Sequence, residues 1–310
     1  MKIFLFLGSR RGYAVLKKLL EAQAQIVGIL CLIEDVHEEQ FHPRIRTLAE
    51  ENAIPIFFSD KVKPADYAKL LHEIKPDIAF AIGWRYLISK DAYTLPPKGT
   101  LIIHDSLLPH YRGFAPMNWA IINGETKTGV TLFYIAEGID SGPIVDQLAT
   151  EITIKDTAKT VDEKIISLYE EIIIKNLACL ANDKIKSTPQ DEALATYTCK
   201  RTPEDGQINW QLGSLQIYNL IRGLTHPFPG AYTYLHGKKV FIWEAKLPEK
   251  QLIYQGSIPG RVLGKKDGAI EVLTGKGIIA LTRLQYENEV ERHSKDLFIS
   301  VKDTFGTLQP

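Results

Sequence analysis

His104 and Asp140 are the residues whose types and spacing best suit chemistry. His104 opens His104-Asp105-Ser106-Leu107-Leu108-Pro109, which runs on through Tyr111-Arg112-Gly113, and Asp140 stands in Gly138-Ile139-Asp140-Ser141-Gly142, about one strand and loop later. A histidine at the end of the apolar run 100–103 sits where open α/β sheets bind ligands. An aspartate beyond the next strand can reach it, fix its tautomer and raise its basicity. The competing account is a strand-end histidine satisfied by its own loop, because ion pairs that only hold a fold also perturb titratable groups.

Other chemical signatures are missing. Gly8-Ser9-Arg10-Arg11-Gly12 resembles a phosphate turn but lacks the G-x-G-x-x-G spacing that lets backbone approach a dinucleotide. It reads as a strand-to-helix turn that contains glycine, with Arg10 and Arg11 as candidate contacts for a polar ligand. No Walker sequence, H-E-x-x-H, paired-cysteine set or G-x-S-x-G elbow occurs. No metal site is expected, and Ser106 is a poor nucleophile candidate.

The elements that must carry the pair are legible in the first 150 residues. Short apolar runs at 3–7, 25–32, 55–58, 78–83, 100–103 and 130–135 read as strands. Amphipathic stretches at 11–21, 42–52 and 64–74 read as helices between them, Pro64 near a first turn and Pro76 ending a pattern. That alternation predicts an α/β fold, a Rossmann-like and mainly parallel sheet with helices on both faces. Asp156-Thr157 then caps a long helix to about residue 182, with Val161, Ile165, Leu168, Ile172 and Leu180 on its apolar side.

Residues 184–196 are polar and lose periodicity, which predicts a boundary there or just beyond. A helix at 214–224 follows, then short alternating segments at 231–235, 239–245, 260–263, 269–273 and 277–284, separated by turns such as Gly237 and Lys266-Asp267-Gly268. The reading is a catalytic domain over 1–190, a junction over 191–205 and a small β-barrel-like (OB-like) domain over 206–310.

Lys plus Arg and Asp plus Glu each number 37, so no global field draws the protein to nucleic acid or a membrane. Three widely spaced cysteines, Cys31, Cys179 and Cys199, argue against a disulfide framework and for a reducing compartment. The first apolar run is too short for a signal peptide, and no stretch approaches the roughly 20 apolar residues of a membrane helix. A soluble, cytoplasmic protein is expected.

Taken together, His104-x-Ser106-Leu107-Leu108-Pro109, Arg112-Gly113, Ala115-Pro116, Asn123-Gly124-Glu125, Thr126-x-Thr128-Gly129-Val130-Thr131 and Asp140-x-Gly142 resemble the core of the folate-dependent formyltransferases. Lys200-Arg201-Thr202-Pro203-Glu204-Asp205-Gly206, Pro227-Phe228-Pro229-Gly230-Ala231 and Leu281-Thr282-Arg283-Leu284-Gln285 are similar to the junction and second domain of the same family, so the likeness covers nearly the whole chain. It implies transfer of a formyl group from 10-formyltetrahydrofolate to a primary amine. An attacking amine must be unprotonated, its proton needs a base, and the oxyanion on the formyl carbon needs donors. The resemblance gives His104 the oxyanion or the proton, and Asp140 the orientation of His104 and a part in proton removal.

In the family an asparagine stands two residues before the histidine. Here that position is Ile102, which cannot donate. Loss of one oxyanion donor costs roughly 10² to 10³ in rate. Asp105 or Asn118 could compensate, the enzyme could be slow, or the scaffold could have become a binding protein. Asn118 is chemically the easier substitute, since Asp105 donates only when protonated.

The resemblance places the folate against Gly83, Trp84, Arg85, Tyr86, Leu87 and Ile88, with Ala136, Gly138, Ile139 and Asp140 closing its other side. A flat heteroaromatic ring suits an apolar slot with a few backbone partners. Glu34-Asp35-Val36-His37-Glu38-Glu39 is acidic where the tRNA-formylating members carry a longer basic insertion, which disfavours tRNA. The chain looks closer to the members acting on nucleotide-linked amino sugars, the UDP-4-amino-4-deoxy-L-arabinose type. Ser106, Arg112, Gly113, Asn118, Lys200 and Arg201 are the candidate acceptor contacts, the arginines and lysine for a diphosphate. Oligomeric state is open, a homodimer included.

Overall fold

The computed structural model describes residues 1–36 and 38–306. His37 of the acidic segment and residues 307–310 of the expected second domain lie outside the described residues. In chain order the elements are β1 (Ile3–Leu7), α1 (Ser9–Glu21), β2 (Ile26–Cys31), α2 (His42–Glu51), β3 (Ile56–Phe58), α3 (Tyr67–Ile74), β4 (Ile78–Ile82), α4 (Lys90–Tyr93), β5 (Thr100–His104), β6 (Arg112–Gly113), α5 (Pro116–Ile122), β7 (Lys127–Tyr134), β8 (Ile144–Glu151) and α6 (Ala158–Ala181). They continue with β9 (Tyr197–Thr198), α7 (Ser214–Leu224), β10 (Ala231–Leu235), β11 (Lys238–Lys246), β12 (Val262–Lys266), β13 (Ala269–Leu273), β14 (Ile278–Tyr286) and β15 (Arg292–His293).

The first sheet has the order β3-β2-β1-β4-β5-β7-β8. Its pairs from β3 to β5 are parallel, and β7 joins β5 antiparallel. All five residues of β1 and of β4 are buried, because helices cover both faces and leave no polar side to alternate with. One face carries Phe4, Phe6, Leu30, Tyr67, Leu71, Ala79 and Ala81 in a single core cluster. Strand order reverses between β1 and β4, the crevice where open α/β sheets take ligands. There Gly8 and Gly83 meet: a Cβ on Gly8 would lie 2.5 Å from the Gly83 carbonyl oxygen, and one on Gly83, at φ +62, 2.3 Å from that of Gly8. Only glycine lets these two turns approach so closely.

The second sheet is antiparallel, ordered β10-β11-β14-β13-β12, with β15 added to β14. Its core gathers Trp210, Ile217, Ile221, Val240, Ile242, Val262, Ile270, Val272, Leu281, Leu284 and Phe305, so α7 lies on this sheet.

The two compact units are not consecutive stretches. One comprises 1–113, 128–150 and 163–197; the other comprises 114–127, 151–162 and 198–310. Segments 114–127 and 151–162 group with the second unit because its core and polar contacts hold them. Ile122 packs on that core, Asn118 Nδ2 donates to the Gly223 carbonyl at 2.8 Å, and buried Arg222 donates to the carbonyls of Thr153 and Asp156. Among the described residues no helix is long and apolar enough to cross a membrane, and no cluster of His, Cys, Asp or Glu could hold a metal ion.

Candidate active site

Period-two alternation along β5 sets the site. Ile102 and His104 share one face, and Ile103 and Asp105 point to the other. His104 is buried, and its Nε2 lies 2.9 Å from the Tyr111 carbonyl. A carbonyl can only accept, so Nε2 carries a proton and Nδ1 faces the carboxylate of Asp140, 3.7 Å away at Oδ2. That separation is an electrostatic contact rather than a hydrogen bond. β7 runs antiparallel to β5, and Ile135 donates to Thr100 at the start of β5. Residues 136–140 therefore run back toward His104 to deliver Asp140. The aspartate takes a left-handed conformation, φ +47, and its Oδ2 accepts the Gly113 N–H at 2.8 Å.

The opposite face of β5 holds a triad of partly buried Arg11 and Asp105 with buried Tyr169. Asp105 pairs with Arg11 through Nε at 3.1 Å and Nη2 at 2.7 Å, and it also accepts the hydroxyl of Tyr169. Asp105, one expected substitute for the missing asparagine, does not donate into the site. Asp105 lies across the sheet from His104 as an acceptor of two donors, and the Asn118 amide is bonded to the Gly223 carbonyl. Ile102 itself is half-buried and packs on the apolar cluster that also receives Trp84 and Ile135.

The loop after His104 is held by its own polar groups. The buried Ser106 hydroxyl donates to the His110 carbonyl at 2.7 Å, and the Thr131 hydroxyl bridges the Ser106 carbonyl and the Leu108 N–H. Arg112, expected to meet a diphosphate, is instead 1% exposed. Its five guanidinium hydrogens go to Gln190 twice, to both oxygens of Glu192 and to the Tyr197 hydroxyl. No donor remains for a ligand. Gln190 and Glu192 lie in a segment whose lack of periodicity hid them; their only sequence signal is polarity.

Of the two remaining basic candidates, Lys200 is exposed. Arg201 lies over the Trp119 ring at 4.7 Å and donates to the Asp205 carbonyl; burial pulls its pKa below the usual arginine value.

The loop after β4 presents an apolar surface. Leu87 is 83% exposed and Tyr86 46%, while Ile88 is buried. Arg85 pairs with Glu38 at 2.7 Å. Trp84 meets Phe6, Tyr67 and Tyr86 edge-on at 5.3, 5.9 and 5.8 Å between ring centres. The buried Trp84 Nε1 and Tyr67 hydroxyl have no hydrogen-bond partner. In the loop after β7, Ala136 and Gly138 are exposed and Ile139 is 60% exposed.

The doubly wound sheet carries the histidine–aspartate pair at the end of β5. Residues 4–177 match the formyl transferase family model and residues 200–301 its C-terminal domain, and the chain belongs to the formyl transferase family of enzymes.

Solved structures share its fold. The N-formyltransferase from Helicobacter canadensis, in complex with folinic acid and dTDP-3-aminofucose, superposes with a TM-score of 0.70 at 20% identity over 92% of this chain and 99% of that one. HypX from Aquifex aeolicus, in complex with tetrahydrofolic acid, gives 0.64 at 20% identity over 94% of this chain. The chain spans about half of HypX, 46% of its length. Methionyl-tRNA formyltransferase from Clostridium thermocellum gives 0.57 at 18% identity, covering 88% and 99%.

Proposed function

We propose that the protein transfers the formyl group of 10-formyltetrahydrofolate to the primary amine of a nucleotide-linked amino sugar. The observation that carries this is the His104–Asp140 pair on the sheet face, with the Nε2 proton fixed by Tyr111 and the carboxylate fixed by Gly113. In this reading Asp140 would draw the proton that the amine must lose, and His104 would take it at Nδ1 and, carrying it there, become a donor to the developing oxyanion.

The residues fit a folate. Leu87, Tyr86 and Ile139 offer exposed apolar surface in the same unit as the pair, and Trp84 Nε1 is a donor without a partner. Bound there, the folate supplies the formyl carbon; Trp84, Tyr86, Leu87, Ile88 and the loop from Ala136 to Asp140 would hold its ring.

An amino-sugar acceptor is supported by the near-complete mutual coverage with the Helicobacter canadensis enzyme and by the exposed acidic residues Asp35, Glu38 and Glu39, which disfavour a polyanion such as tRNA. Lys200 and Arg201 remain the candidates for the diphosphate. We read the antiparallel second domain as OB-like. A second reading, a folate-binding protein with weakened transfer, rests on the apolar packing of Ile102.

The test is mass spectrometry of 3-amino and 4-amino nucleotide sugars incubated with the protein and 10-formyltetrahydrofolate, with His104→Ala as control. Gain of one formyl group that the control abolishes supports the proposal. Folinic acid binding without product on any sugar or on initiator tRNA supports the second reading instead.

A further inference from the structure

Gln190 belongs to none of the motifs that carry the chemistry, yet its amide is fully engaged. Its Oε1 accepts from Arg112 Nε at 3.1 Å and Nη2 at 2.8 Å. Its Nε2 donates both hydrogens, to the Asp140 carbonyl at 2.7 Å and the Gly142 carbonyl at 2.8 Å. An amide whose oxygen meets only donors and whose nitrogen meets only acceptors has one orientation. Arg112 is in turn held at both Glu192 oxygens, and it directly precedes Gly113, whose N–H donates to Asp140 Oδ2.

These contacts close a ring. Asp140 is held at its backbone through Gln190 and at its carboxylate through Gly113, and both routes lead back to Arg112. The ring also fixes the left-handed backbone of Asp140, φ +47. At 3.7 Å from His104, a small drift of the carboxylate also changes the coupling of the pair.

We propose that Gln190 is a positioning residue for Asp140, closing with Arg112 and Gly113 a hydrogen-bonded ring that holds the Asp140 carboxylate against His104. The proposal rests on the reading of His104 and Asp140 as the reacting pair. Gln190 touches no reacting atom, so it acts through Asp140.

Gln190→Glu separates this role from a merely structural one. A glutamate keeps the length and can still accept from Arg112, but it has no hydrogens for the carbonyls of Asp140 and Gly142. Two readouts on the full-length protein decide. By NMR hydrogen exchange, which needs no substrate, the Gly113 amide of Gln190→Glu is expected to exchange about tenfold faster than in wild type, with the β5 amides unchanged. In formyl transfer, kcat is expected to fall about tenfold while KM for 10-formyltetrahydrofolate stays within about twofold.

Wild-type exchange and wild-type kcat in the folded Gln190→Glu protein overturn the proposal. If Gly113 exchange rises but wild type itself formylates no acceptor, the functional reading fails and the positioning ring stands. If the variant does not fold, the wild-type protein answers: slow exchange of both Gln190 Nε2 hydrogens supports the ring, and fast exchange overturns it.

Discussion

Tyr169 reaches from α6 to both neighbours of His104, its one hydroxyl hydrogen shared between the carbonyl of Ile103 at 2.8 Å and the carboxylate of Asp105. With Arg11 on the far side of Asp105, the strand end that carries the histidine is anchored from the opposite face of the sheet. Burial, then the charge of Asp105, raises the Tyr169 phenol well above its ordinary pKa, so it stays a donor.

Tyr169→Phe keeps the ring and removes the hydroxyl. Two acceptors, one of them charged, lose a donor in the interior, and a loss of about 1–3 kcal/mol in unfolding free energy is expected. Chemical denaturation measures it. An unchanged midpoint and slope would show that the hydroxyl contributes nothing net.

Asp140→Asn preserves shape and can still accept from Gly113, but it carries no negative charge and no basicity. Formyl transfer is expected to drop about 10² to 10⁴-fold, with folinic acid affinity within about threefold. Titration calorimetry and a product assay on one protein preparation check both halves. Activity near wild type would remove Asp140 from the proton path.

Ile102→Asn puts a donor back on the His104 face. Because Ile102 packs on an apolar cluster, the substitution is expected to cost about 1–3 kcal/mol of stability while raising kcat by about tenfold or more. A fall in kcat in a folded variant would mean that the active site has reorganised around the isoleucine and takes its donor from elsewhere.

Trp84→Phe deletes the unpartnered indole N–H and keeps an aromatic ring. If the folate accepts from that N–H, folinic acid binding weakens by about fivefold or more, roughly one hydrogen bond. Unaltered affinity would confine Trp84 to packing.

Much of this was legible in the sequence, for identifiable reasons. The parallel strands read as apolar runs because helices bury both faces, and His104 stood out because one such run ends on it. The two-residue period also placed Asp105 away from His104, although its polarity drew attention as a donor. β8 was missed because its residues alternate only between partly buried and exposed, so it lacks an apolar run. The seven residues of α5 are too few for a periodic pattern. Arg112 was visible as an arginine near the site, but where its guanidinium points depends on Gln190 and Glu192, some eighty residues on. Sequence proximity favoured a ligand contact; the folded chain supplies the acceptors internally.

Glu34 was counted among the charges of an acidic stretch, yet its side chain is only 1% exposed. Its oxygens accept the backbone N–H of Ser9 at the start of α1 and of His42 at the start of α2, with His42 Nδ1 at 2.9 Å. In dinucleotide-binding folds the first helix turns its N-terminus to a phosphate. Here that partial positive charge already has a resident anion, covalently part of the chain and impossible to dissociate. A pyrophosphate approaching the turn after β1 would meet the Glu34 carboxyl group where a dinucleotide-binding turn offers backbone donors.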